Sequence, residues 1–267
     1  MPELPEVEIA RRNLERWLAR RKIVRAEFAS SPVVRRARPG SLARLVTGRT
    51  VERVERKGKW LRLVLSGGAQ LFSHLGMTGK WVERPRDDAP ARFERARLET
   101  ARSSVRYTDP RLFGRLIALP KDATWPAWEE LGPDPLNDGI EIDRLIERQK
   151  KIKRSIKETL MDQGVIAGVG NIQAAEALWR AKIDPRTPAN AIDVRRARGL
   201  ARAIRSSIDD TIRRETSPEI TYVEEPGAEN PFDVYGKAGE KCPRCREMIA
   251  RFVQGGRSTF YCPRCQR

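Results

Sequence analysis

Two Cys-Pro-Arg-Cys quartets lie near the end of this 267-residue chain, Cys242 to Cys245 and Cys262 to Cys265, with sixteen residues between them. The spacing C-x2-C-x16-C-x2-C falls within the range of a tetrahedral zinc site. Four thiolates at about 2.3 Å complete the shell of the metal and leave no position for substrate. One structural Zn2+ on Cys242, Cys245, Cys262 and Cys265 is therefore predicted. Between the pairs, Arg251 to Tyr261 reads as two strands around Gln254-Gly255-Gly256-Arg257, a β-hairpin with Arg257 near its tip. Seven Lys/Arg and one Glu between Lys241 and Arg267 give this segment a net charge of +6. A basic hairpin on a metal clip suits a nucleic-acid groove.

The rest of the chain has the same bias, with 53 Lys+Arg against 36 Asp+Glu and a formal charge of +17. A field of that sign attracts polyanions, which means nucleic acid, anionic membrane or acidic protein. No run of 18 apolar residues is present, and Met-Pro-Glu-Leu-Pro-Glu at the start is neither a basic leader nor an apolar one. The expectation is a cytosolic protein in a reducing compartment, where four cysteines favour metal over disulfides.

The length predicts two domains. Val7, Ala10, Leu14, Trp17 and Leu18 recur at helical spacing from Leu4 to Arg21, with Pro5 suited to the first turn. From Thr50 to Leu119 short alternating runs such as Leu61, Leu63 and Leu65 read as strands of a sandwich or barrel. The proline-rich stretch Pro120 to Pro135 reads as a connection. Helical periodicity returns behind the cap candidate Asp143 through Met161, again from Ile172 to Arg180, and from Val194 to Arg214 behind Asp193. Arg148 to Lys157 carries six basic residues and no acid. Taken alone, that run reads as an exposed helix face.

Removal of Met1 would make Pro2 a chain-terminal secondary amine. Such an amine has a reference pKa of about 7.7–8.0, so a useful fraction is neutral and nucleophilic near neutral pH. Its attack on a sugar C1′ gives an iminium, and Glu3 and Glu6 lie close enough in sequence to move protons. Read without context, Pro-Glu at this place more often simply starts a helix.

Four segments taken together resemble the formamidopyrimidine-DNA glycosylase/endonuclease VIII family, closest to the formamidopyrimidine branch. They are Met-Pro-Glu-Leu-Pro-Glu-Val-Glu at positions 1–8, Arg106-Tyr-Thr-Asp-Pro-Arg111, Gly168-Val-Gly-Asn171 and the cysteine hairpin. The resemblance implies an α+β fold of two domains. An N-terminal β-sandwich with an N-terminal helix would span 1–128, and a helix-two-turn-helix domain 129–236 would carry a zinc-finger hairpin at 237–267. DNA would lie in the cleft between the domains. The implied function is a bifunctional DNA glycosylase and abasic-site lyase of base excision repair that cuts the strand by β,δ-elimination. Its partner would be double-stranded DNA with a damaged base or abasic site, and the protein would be a bacterial-type, nucleoid-associated monomer in the cytoplasm. The alternatives are endonuclease VIII-like activity on oxidised pyrimidines, or a non-catalytic damage binder on the same scaffold.

The resemblance also implies roles for individual residues. Pro2 would be the nucleophile, Glu3 the proton donor to the opening sugar and Lys59 the catalytic-site lysine, with Lys57 as its neighbour. Glu6 would orient the N-terminal turn. Arg257, in the catalytic set, and Asn171 would hold the phosphates flanking the lesion, and His74 another phosphate. Met77, Arg111 and Phe113 would fill the space left by the extruded nucleotide. Lys157 and Tyr235 complete the expected DNA-binding set. The chain departs from the family pattern at Leu112, where many relatives have a second basic residue, and at Gln173, where an aromatic is common. It departs also at Thr216 to Pro231, a segment with four glutamates where the branch closes over an oxidised purine. Formamidopyrimidines or oxidised pyrimidines are therefore expected to be excised faster than 8-oxoguanine.

Overall fold

The computed structural model describes residues 2–35, 38–140, 153–215, 219–223, 225 and 227–267. Met1, the cap candidate Asp143 and the basic run 148–152 lie outside the described residues. The chain divides into two compact units. One is Met1–Glu129 with Glu215–Pro226, and the other is Glu130–Arg214 with Gly227–Arg267.

The first unit begins with α1 (Leu4–Leu18), whose buried face carries Leu4, Val7, Ala10, Leu14, Trp17 and Leu18. Two four-stranded antiparallel sheets follow, in the orders β1-β6-β7-β5 and β2-β3-β4-β8. The first contains β1 (Arg25–Phe28), β5 (Lys80–Arg84), β6 (Glu94–Glu99) and β7 (Ser104–Thr108). The second contains β2 (Val51–Lys57), β3 (Trp60–Leu65), β4 (Gln70–His74) and β8 (Arg115–Leu119). Leu61, Leu63 and Leu65 are fully buried, as their alternation predicts, and join α1 and both sheets in one core. Each such side chain contributes about 1.5–3 kcal/mol of burial.

Three parts of this unit differ from the sequence reading. The strand β1 and the helix α2 (Pro39–Val46) precede the predicted β region. The first is too short for its alternation to stand out, and the second opens on Pro39-Gly40, which reads as a break. The stretch after β8 is no loose connection either. Its short helix α3 (Pro126–Glu129) holds Trp128 edge-on to Phe72, and Trp125 lies edge-on to Trp60.

In the second unit, Ser155 caps α4 (Ile156–Leu160) by accepting from the Glu158 amide. Helix α5 (Asn171–Arg180) packs along α6 (Val194–Arg214), and Asp193 accepts from the Arg196 amide at the head of α6. Gln173 is 1 % exposed and bridges these helices, accepting from Ser207 and donating to Thr211. The polar residue at the expected aromatic position is thus a core hydrogen-bonding group. The hairpin of β9 (Ala250–Gln254) and β10 (Arg257–Tyr261) ends the chain, its two-residue turn made by Gly255 and Gly256 at φ 54° and 71°. Positive φ at both turn positions matches the right-handed twist of the strands, and glycine adopts it without steric cost. Among the described residues no helix is long and apolar enough to cross a membrane.

Candidate active site

The N-terminus of α1 is a capping box. Glu3 is the N-cap residue, and its amide donates to Glu6 Oε2 at 2.8 Å. Pro2 and Glu3 are buried beside it. Glu6 keeps some solvent contact, but the protein crowding its carboxyl raises the pKa from 4.5 to about 7; the Glu3 amide opposes this and the Glu3 charge adds to it. A carboxyl poised there can give or take a proton at neutral pH.

A buried ion pair joins this helix to the β2–β3 turn. Arg56, whose side chain is wholly buried, donates Nε to Glu8 Oε2 at 3.0 Å, and its Nη1 donates to the Gly58 carbonyl at 3.2 Å. The turn residue after Gly58 is Lys59. Lys57, the alternative in sequence, donates its ammonium to the Trp128 carbonyl at 3.3 Å. Lys59 instead acts electrostatically on His74, whose pKa falls to about 4, chiefly through burial, with Lys59 and Arg115 adding to the effect. His74 Nδ1 accepts from the Gly76 amide at 3.0 Å, so the neutral ring carries its proton on Nε2. As a neutral ring it can donate a hydrogen bond from Nε2.

Met77 and the pair Arg111 and Phe113 sit on two adjacent loops of the same unit, 75–79 and 109–114. Phe113 is 52 % exposed, and the Arg111 guanidinium lies 5.0 Å from the centre of its ring. Leu112, between them, turns inward at φ 61° and packs against the core. The missing basic residue is thus an apolar anchor for the loop.

In the second unit, Asn171 stands at the start of α5 and donates Nδ2 to the Ser258 carbonyl at 3.0 Å. Lys157 is 1 % exposed; its ammonium donates to Thr259 Oγ1 at 2.7 Å and to the Ser258 carbonyl at 3.5 Å. Both side chains therefore grip β10 next to the exposed Arg257. Tyr235 packs edge-on between Phe232 and Phe260. Its amide, with those of Asp233 and Val234, donates to the buried carboxylate of Glu176. The sequence reading had no role for Glu176, Glu8 or Arg56; their burial as charged residues is visible only in the fold.

The four cysteine sulfurs all lie within 4.8 Å of one another, with Cys242 to Cys265 at 4.0 Å and Cys245 to Cys262 at 3.4 Å. A tetrahedron of thiolates around zinc places sulfurs about 3.8 Å apart, so the residues fit the metal. Trp179 Nε1 donates to Cys242 Sγ at 3.4 Å, a partner that fixes a ligand in place.

Three family models match the chain in order: the formamidopyrimidine-DNA glycosylase N-terminal domain over residues 1–116, the H2TH domain of the same glycosylase over 131–221, and the zinc finger found in FPG and IleRS over 239–267. The formamidopyrimidine-DNA glycosylase of Erythrobacter litoralis is 37 % identical over 274 residues, covering 100 % of both chains. The chain belongs to the formamidopyrimidine-DNA glycosylase family. The Chloroflexus aggregans member is 39 % identical over 272 residues, covering 100 % of this chain and 98 % of its own. Among solved structures, Lactococcus lactis Fpg bound to DNA containing an abasic site aligns with a TM-score of 0.89 at 30 % identity, over 99 % of each chain. A MutM complex with DNA containing carbocyclic 8-oxo-G aligns with a TM-score of 0.90 at 30 % identity, over 100 % of each. The family's fold and its zinc finger are thus those of this chain, with one structural Zn2+ held by the four cysteines.

Proposed function

We propose that this member of the family is a bifunctional DNA glycosylase and abasic-site lyase of base excision repair, with Pro2 as nucleophile. The observation that carries the chemistry is the capping box at the head of α1, where Pro2 and Glu3 adjoin a Glu6 carboxyl that titrates near 7. With Met1 removed, the lone pair of the Pro2 nitrogen forms a bond to C1′ of the damaged nucleotide. The base leaves with the electron pair of the glycosidic bond and takes up the proton that the Pro2 nitrogen gives up. Glu3 gives a proton to the ring oxygen as the sugar opens, leaving an iminium between Pro2 and C1′. Loss of a C2′ proton expels the 3′ phosphate, and a second elimination expels the 5′ phosphate. Lys59 supplies positive charge beside this chemistry, and Glu6 holds the N-terminal turn.

Arg257, Asn171 and His74 hold phosphates, which positions the duplex without reading sequence. Met77, Arg111 and Phe113 enter the stack as the target nucleotide leaves it. Lys157 and Tyr235 support that surface, Lys157 by fixing β10. The bound metal supplies a structural clip for the hairpin. The segments 1–128, 129–236 and 237–267 act as catalytic domain, helical DNA-binding domain and zinc hairpin. The protein works as a monomer on the nucleoid in the cytoplasm, preferring ring-opened purines and oxidised pyrimidines to 8-oxoguanine.

Borohydride trapping on a duplex with one abasic site tests the central claim. A cross-linked peptide beginning at Pro2 is expected by mass spectrometry. DNA binding without a cross-link, in a chain lacking Met1, would leave a damage-binding protein in place of an enzyme.

A further inference from the structure

The loop bearing Met77 and the loop bearing Arg111 and Phe113 are built as one piece, and the group that joins them is Asp109. Its side chain belongs to a residue with no exposed surface. Oδ1 accepts from the Thr78 hydroxyl at 2.7 Å and from the Arg111 amide at 3.3 Å, and Oδ2 accepts from the Gly114 amide at 2.8 Å. One carboxylate thus collects a donor from the first loop and two from the second. Hydrogen bonds to an ionised acceptor in a dry setting are among the stronger ones a protein makes.

The packing around it leaves little slack. Tyr107 donates its hydroxyl to the His74 carbonyl at 3.1 Å, passing between Gly79 and Gly114. A Cβ on Gly79 would come within 2.0 Å of that hydroxyl, and one on Gly114 within 1.9 Å. A Cβ on Gly76 would meet the backbone of Phe113 at 2.4 Å, so the loops touch backbone to backbone. Arg95 donates to the Asp109 carbonyl at 3.2 Å and the Asp109 amide donates to the Phe93 carbonyl at 3.0 Å, which ties the same residue into the sheet.

We propose that Asp109, acting through Thr78 and the Gly114 amide, is a positioning residue that holds Met77, Arg111 and Phe113 as a single preformed wedge and so sets the rate of nucleotide extrusion. This rests on the reading of those three residues as void fillers. A side chain entering the base stack replaces stacking worth a few kcal/mol, and a wedge that must first be ordered loses part of that gain to entropy. The carboxylate settles that ordering before DNA arrives. It touches neither the sugar nor the base, so the covalent chemistry is unaffected by it.

Thr78→Val keeps the shape of the side chain and deletes the hydroxyl. Single-turnover excision of a damaged base from a fully paired duplex should slow about tenfold, the worth of one hydrogen bond to a charged group. Borohydride trapping on a single-stranded abasic oligonucleotide, where no stack resists, should stay within about twofold of the parent on the same reasoning. Asp109→Asn should show the same split, and thermal unfolding reports whether that variant is folded. Equal loss on both substrates by Thr78→Val would mean a merely structural role and overturn the proposal. Unchanged duplex excision in Thr78→Val, with Phe113→Ala slowed, would overturn the latch and leave the wedge standing. If Phe113→Ala and Met77→Ala also match the parent on the duplex, the wedge reading falls and the latch with it.

Discussion

Glu6 has its pKa near 7 where a carboxyl in water loses its proton near 4.5. The folded chain therefore binds a proton over a window in which the unfolded chain has released it. The contribution of Glu6 to stability is complete below pH 4.5 and is lost as pH rises toward 7, because the crowded carboxylate must then carry its charge. Glu6→Gln keeps an acceptor for the Glu3 amide and has no proton to lose. Neutral His74 raises the stability of both proteins between pH 5 and 6.5, so the measure of Glu6 is the difference between their curves: from pH 5 to 8 the parent should lose stability relative to the variant, by at most about 3 kcal/mol and by less because Glu6 keeps some solvent contact. Denaturant melts of both proteins at the two pH values measure this, and parallel curves would mean that Glu6 is ionised throughout. The chemical types at this site were legible in sequence, since Pro2, Glu3 and Glu6 stand together in the first six residues. The shift of Glu6 was not, because it depends on what the fold packs around the carboxyl.

The hairpin of β9 and β10 has few apolar residues of its own and depends on neighbours. Cys242, Cys262 and Ile249 cluster with Val234, Ala175 and Trp179, and Lys157 and Asn171 hold β10 from the helical side. Structural zinc contributes about 10–16 kcal/mol in isolated finger peptides, far more than such a cluster. Cys262→Ser should therefore lose the metal, release amide protection in β9 and β10, and weaken duplex binding at least about tenfold through the loosened Arg257. Metal content with binding isotherms at fixed salt measures both; full zinc occupancy with parental affinity would sink the assignment. The element was legible because ligand spacing is a local property. Helix α2 and strand β1 were not, being short, broken by Pro39-Gly40 or too brief for periodicity, and fixed mainly by burial of Leu42, Val46, Ala26 and Phe28 in the common core.

At the scale of the molecule, residues 215–226 follow α6 in sequence yet group with the first unit. Tyr222 is 3 % exposed in that unit's core and donates to the Gly79 carbonyl at 2.6 Å, with the Lys80 ammonium 5.0 Å from its ring centre. Glu225 pairs with Lys80, and Glu219 with Arg84. If closure over an extruded 8-oxoguanine requires this segment to move, these contacts oppose it. Single-turnover rates should accordingly run higher on formamidopyrimidine and oxidised-pyrimidine duplexes than on 8-oxoguanine paired with cytosine, and the reverse order would refute this. The four glutamates of Thr216 to Pro231 pointed to an unusual segment, and two of them answer basic residues of the first unit. The anchoring tyrosine carried no signal in sequence, because an aromatic in a polar loop is a packing residue only where a core accepts it.

Residue type and spacing along the chain were enough to read the metal ligands, the basic character, the first helix, the main β region, the two long helices of the second unit and the family. Tertiary structure decided which charged groups are buried, and so which ones carry proton affinity or hold loops in place. Lys157 and Lys59 are both basic residues in basic surroundings, and no local pattern tells a buried clamp from a half-exposed cation. Asp109 sits in plain view within Tyr-Thr-Asp-Pro-Arg. Its role exists only because folding brings Thr78, thirty-one positions earlier, within hydrogen-bonding distance.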